Sequence, residues 1–247
     1  LGNAPKADLN LFKAKLKAMN IPIIEAKANY SNLEFNNTNT VNLTAFKTDA
    51  VFNSISSKMS SNFRYGDLEI KENSNDLELV AFKAKINSKD LKQVELNASY
   101  SSLEGGNVSI LNLTKAFQSQ LSLAEVGELR GNSKYSPIKL DKLTKNLELS
   151  TFKGSVDIAE VNADFTNIRL VTKYTDIGMN FNPNSKYSLE AKTIYTSLNM
   201  PKNFQNLNIE TNHGNHQNNF KGDVNSNMEG SNSQVYIDSF QGKLNLQ

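Results

Sequence analysis

Tyr30, Tyr65, Tyr100 and Tyr135 recur every 35 residues, Tyr174 follows, and Lys47, Lys83 and Lys153 fall between them. Aromatic faces and ammonium groups repeated at fixed spacing suit a glycan or an acidic partner, through ring stacking and cation–π contact. Phe12, Phe46, Phe82, Phe117 and Phe152 form a second series, half a period out of step. The structural reading of both series is a packed seam: Phe fills the core, while Tyr lies across a corner with its hydroxyl in water.

Other chemistry is sparse. Cysteine is absent, which excludes disulfides and thiolate sites and leaves the redox compartment open. His213 and His216 are spaced so that both imidazoles could meet one metal. They stand in an Asn- and Gly-rich run with only Glu210 and Asp223 nearby, and read as solvated loop residues. Glu34, Glu69 and Glu104 occupy equivalent places four past Tyr30, Tyr65 and Tyr100, a pattern that could hold Ca²⁺ or form an acid–base pair. Two strand spacings, about 9–10 Å, separate successive members, too far for one metal. Lys139 then breaks the series, so these carboxylates read as outward polar positions. Asn-X-Ser/Thr triplets at Asn29, Asn42, Asn97 and Asn107 are expected by chance in so Asn- and Ser-rich a chain. No metal or cofactor is expected.

The elements that must position the Tyr and Lys side chains follow from the rest of the repeat. Two interleaved 35-residue series imply a unit half as long. Taking the residue before each aromatic, or its equivalent in the Tyr units, as an anchor gives Leu11, Ala28, Ala45, Phe63, Ala81, Ala98, Ala116, Ser133 and Thr151, in steps of 17 or 18. Thr172, Thr193, Thr211 and Ser239 continue the series at steps of 21, 21, 18 and 28. Apolar columns stand two and four residues before the anchor, as in Leu79 and Leu77, and five after it, as in Ile86. Three after the anchor the residue is small: Ser31, Thr48, Gly66, Ala84, Ser101. Alternation of this kind is the strand period.

The unit therefore reads as strand, tight corner, strand and polar turn, unable to bury its apolar face alone but able to do so against copies of itself. The fold class is all-β: a single-domain parallel β-helix, or β-solenoid, over residues 1–247. It has two strands per coil and about a dozen coils. Residues 1–10 read as an entry or cap, 11–200 as coils, and 201–247 as irregular loops with a closing C-terminal coil. Leu9, Phe12, Leu16 and Met19 also fit a helical cap. Val161, Ala163 and Phe165 read as an extra strand before Ile168, and one strand is expected at Phe220–Val224 between long loops.

A net charge of +2 argues against nucleic acid as a partner. No apolar run approaches 18 residues, so no transmembrane helix is expected, and nothing at Leu1 reads as a signal peptide.

The phrase Ser133-Lys-Tyr-Ser-Pro-Ile-Lys-Leu-Asp-Lys-Leu143 and the ending Ile237-Asp-Ser-Phe-Gln-Gly-Lys-Leu-Asn-Leu246 resemble the repeat-bearing surface proteins of Bacteroidetes-type bacteria, including the auto-transporter adhesin head family. The likeness covers most of the chain and is specific for fold. It implies a β-solenoid without known catalytic residues, exported to the periplasm, outer membrane or cell surface of a Gram-negative bacterium. The expected function is a non-catalytic, adhesin-like binding or scaffold protein, with a glycan or a cell-surface protein as partner. One alternative is a polysaccharide-active enzyme using Asp157, Glu160, Asp164 and Lys173, where the regular spacing first breaks. The other is a purely structural spacer.

Overall fold

The computed structural model describes residues 4–201, 203–212, 214, 216–225 and 233–247. Every regular element among them is a strand, and the chain forms two compact units, Leu1–Leu123 and Ala124–Gln247. Stacked parallel coils of 17–18 residues build a β-solenoid.

In the first unit the strands are β1 (Lys6–Phe12), β2 (Lys15–Ala18), β3 (Ile23–Asn29), β4 (Asn32–Phe46), β5 (Asp49–Arg64), β6 (Asp67–Ile70), β7 (Ser74–Phe82), β8 (Lys85–Ser88), β9 (Leu91–Ser99) and β10 (Ser102–Phe117). Each pairs in parallel with its equivalent one coil on. Leu79 lies opposite Leu96 in register, as the repeat requires, and Ile24 opposite Val41. The first turns of chain are strands, not a helical cap: β1 pairs with β3 and β2 with β4. The apolar columns are buried, including Ile55, Leu91 and Val108 at the far turn. The columns break at Asn112 and Thr114 because β10 carries a bulge between Leu113 and Lys115, which keeps Leu111 and Leu113 in the core opposite Val94 and Leu96.

The second unit continues with β11 (Gln120–Lys134), which begins four residues before it, and then β12 (Pro137–Val161), β13 (Asn167–Phe181), β14 (Tyr187–Asn199), β15 (Phe204–Asn212), β16 (Gln217–Val224) and β17 (Ser233–Leu246). Here chain order and spatial order part. β17 does not close the stack, as expected from sequence. It lies between β13 and β14, parallel to both, with Ile168 opposite Val235 and Val235 opposite Leu189. The physical reason is that its column residues Val235, Ile237 and Leu244 are all buried there, with a hydrogen-bonded neighbour on each side. On its other side β14 pairs antiparallel with β16, which pairs antiparallel with β15. The strand expected at Phe220–Val224 forms as β16, which starts earlier at Gln217, and a second strand not foreseen, β15, precedes it; residues 226–232 lie outside the described residues.

No extra strand forms at Val161–Phe165 either. Val161 ends β12, and Asn162–Thr166 is a turn in which the Asn162 side chain accepts the Ala163 N–H at 2.9 Å. Asn182 closes the matching turn before β14 by accepting the Asn184 N–H. These longer turns bring in Phe165, Phe181 and Tyr187, which pack ring against ring at 4.6–5.6 Å and fill the core there. Tyr187 is wholly buried, its hydroxyl has no partner among the described residues, and burial pushes that hydroxyl's pKa up.

Candidate functional site

The corner of each coil is set by one residue in the left-handed conformation. Lys13, Tyr30, Lys47, Tyr65, Lys83, Tyr100 and Gln118 in the first unit, and Tyr135, Lys153, Tyr174, Tyr195 and Gln241 in the second, have φ between 45° and 58°. None is glycine, so each carries a steric cost of about 1–2 kcal/mol. Backbone pairing offsets it: the N–H of Tyr30 donates to the carbonyl of Phe46 one coil on, and Lys47 to Arg64, Tyr65 to Phe82, Lys83 to Ser99 and Tyr100 to Phe117, at 2.8–3.0 Å.

The small residue that follows turns back into the core. Ser31 Oγ accepts the Ala14 N–H and donates to the Asn29 carbonyl, Thr48 Oγ1 accepts from Ser31, and Ser101 and Ser119 repeat the arrangement. At Gly66 and Gly242 the preceding coil comes too close for any side chain: a Cβ would stand 2.0 and 2.2 Å from a threonine carbonyl oxygen.

This geometry leaves two consecutive residues outside at every corner, one of them aromatic in most coils. Phe12, Tyr30, Phe46, Tyr65, Phe82, Tyr100 and Phe117 form a continuous edge-to-face ladder in the first unit, with centroids 5.5–5.9 Å apart and planes at 76–80°. The tyrosines are 41–46 % exposed there. The Phe rings are not in the core, as expected, but half-buried in the ladder, and Phe12 at its end is 64 % exposed. A side chain just before the corner alternates outward from the buried anchor, so it cannot reach the interior.

Lys47 Nζ lies over Tyr30 and Phe46 at 5.2 and 5.8 Å, Lys83 over Tyr65 and Phe82, and Lys153 over Tyr135, Phe152 and Tyr174. The predicted residues thus come together as Tyr30, Lys47, Tyr65, Lys83 and Tyr100 on one unit, and as Tyr135, Lys153 and Tyr174 on the other.

Phe240 escaped the sequence reading as a member of this ladder. In the second unit the order is Tyr135, Phe152, Tyr174, Phe240, Tyr195, with centroids 5.5–6.2 Å apart. Along the chain two tyrosines, Tyr174 and Tyr195, stand in succession where the alternation demands a phenylalanine. The strand that supplies it comes from the C-terminus. That break in alternation was the available signal. His216 packs beside Tyr195 at 4.9 Å, while His213 lies outside the described residues.

The carboxylates behave differently. Glu34 is held by Lys17 at 2.7 Å, which lowers its pKa, while Glu69 and Glu104 are exposed. Among the described residues no group of three His, Asp or Glu side chains could hold a metal. An open groove of about 830 Å³ on the strands before the corner contains Asp8, Glu25 and Glu78, with Lys6 paired to the first two and Lys58 to the third. Asp164 lies in the turn before β13 and Lys173 at its corner, so roughly 20 Å of extended chain separates them. Glu160 pairs with Lys142 at 3.4 Å, and Asp157 stands opposite Gly178. These four groups do not converge on one point.

Comparison with protein-family models, curated proteins and solved structures finds no match. No helix of the described residues is long and apolar enough to cross a membrane.

Proposed function

We propose that this is an exported, non-catalytic display scaffold that acts as an adhesin-like binding module at the cell surface or in the periplasm. One observation carries the reading: ten of the twelve left-handed corner residues, all but Gln118 and Gln241, present an aromatic or cationic side chain outward, at the position where the backbone accepts left-handed strain to do so. Packing alone could be served by glycine at those corners; a side chain held there in a costly conformation is held for display. Export follows from the resemblance to surface-protein repeats.

The purely structural reading draws on a specific observation too: each interior ring of the ladder packs on both sides, and lysines lie over it. Glycan-array binding separates the two. The display reading expects binding that is lost when Tyr65, Tyr100 and Tyr135 are changed to Ala in a protein that stays folded. Absence of binding in either form leaves the ladder as packing. Cleavage of a glycan that disappears in Asp164→Asn would overturn the non-catalytic reading.

A further inference from the structure

Charge is not spread evenly around the coils. No Asp or Glu occupies the corner residue or the one before it in either unit, although the chain holds 25 acidic residues. Cations do occupy these positions, in consecutive coils: Lys47, Arg64 and Lys83 in the first unit, and Lys134, Lys153 and Lys173 in the second. All six are exposed, and among the described residues none forms an ion pair, whereas Lys6, Lys17, Lys58, Lys142 and Lys192 all do.

Three carboxylates stand two residues past a corner, Asp49, Asp67 and Asp176; none forms an ion pair among the described residues, and two of them are turned to the backbone. Asp49 accepts the Asp67 N–H at 3.1 Å, and Asp176 accepts the Lys243 N–H at 2.9 Å. Each unit therefore carries three cations in successive coils, with coils about 4.8 Å apart, along a row of rings, and Lys13 stands two coils before Lys47 in the first.

We propose that the corner strip of each unit binds an acidic polysaccharide, its sulfate or carboxylate groups meeting the three cations and its hydroxyls meeting the intervening Tyr hydroxyls. This rests on the display reading above and names the ligand class of that same face. One cation per coil over three successive coils matches a linear polymer that repeats its charge at regular intervals. Single-stranded nucleic acid fits less well. Base stacking needs free ring faces, and these rings are interlocked edge to face with centroids at most 5.9 Å apart in the first unit. A neutral glycan would leave the six cations without a role.

The test uses the full chain with sulfated dextran, unsulfated dextran of equal size and an oligothymidylate as probes. One variant carries Lys47→Gln, Arg64→Gln, Lys83→Gln, Lys134→Gln, Lys153→Gln and Lys173→Gln. Another removes exposed lysines elsewhere with Lys27→Gln, Lys92→Gln and Lys139→Gln. Both changes are at exposed sites, and circular dichroism checks that each variant stays folded. Sulfated dextran should bind the parent with an affinity that falls as salt rises, and unsulfated dextran should not. The corner variant should lose roughly tenfold or more in affinity, and the control variant far less.

Loss per charge as large in the control variant would overturn the corner assignment, and tighter binding of oligothymidylate would overturn the ligand class. Tyr-dependent binding of neutral glycans with no response to sulfated dextran sinks this proposal and leaves the display reading standing. No binding of any glycan sinks both.

Discussion

The two units solve the same stacking problem in different orders. In the first, each coil lies on the one that precedes it in the chain, and hydrogen-bonded neighbours are 17 or 18 residues apart. In the second, the same registers are kept, but β17 is reached from β13 across 67 residues and from β14 across 46. The columns do not record the difference: Thr172, Ser239 and Thr193 stand side by side as three successive anchors would. Parallel stacking selects for side-chain shape and polarity at each position, not for chain order, so a distant segment with the same phrase can occupy a coil position. The cost is kinetic, because a contact of long sequence separation must be closed before it is rewarded.

The largest expected effect comes from ending the chain at residue 232. The first unit should keep its amide-exchange protection, while β13 and β14 lose theirs along their facing edges. If β14 remains as protected as before, it has re-paired directly on β13 with Thr172 opposite Thr193, and the insertion is dispensable.

Single core residues come next. Leu79→Ala and Ile237→Ala each remove a buried branched side chain and should cost about 2–5 kcal/mol. Denaturant unfolding followed by exchange should place the first loss in residues 4–123 and the second in 124–247. Losses reported equally by both units would mean that the units do not unfold separately. Glycine substitution is expected to cost somewhat less. Gly66→Ala and Gly242→Ala both drive a Cβ onto a carbonyl oxygen of the neighbouring coil, for about 1–3 kcal/mol each by the shift in denaturation midpoint. A neutral result at Gly242 alone would show the inserted strand to be held more loosely than the sequential coils.

Replacing Phe240 by Leu removes two edge-to-face contacts, with Tyr174 and Tyr195, and Phe82→Leu removes two with Tyr65 and Tyr100. Each should cost about 1–2 kcal/mol, and near-equality in thermal unfolding would show that the ladder is the same structure in both units. The smallest effect is Glu69→Ala, within roughly 0.5 kcal/mol, because that side chain is exposed. A loss comparable to that of Leu79→Ala would refute the assignment of inward and outward faces.

Much was legible without the fold. Period-2 alternation with a 17–18-residue step specifies strands that must stack, and the small residue three past the anchor marks where the chain turns inward. The Leu79–Leu96 register, the buried far-turn residues and the gathering of Tyr and Lys on one line all follow from spacing alone, because a strand fixes side-chain direction residue by residue. The exterior position of the Phe rings was legible too and was misread: chemical type suggested the core, but the alternation from Ala81 to Phe82 pointed outward.

The order of the last coils was decided only in three dimensions. Val235–Leu246 carries the same column pattern as any coil, and that pattern states what a coil position accepts without stating which segment fills it. Backbone hydrogen bonding is blind to sequence separation, so the aromatic alternation could be completed in space by Phe240 while remaining broken along the chain. That the corner cations form no ion pair among the described residues was equally hidden: Asp49, Asp67 and Asp176 all stand two past a corner, and only the packed coils decide that Asp49 and Asp176 accept neighbouring backbone N–H groups.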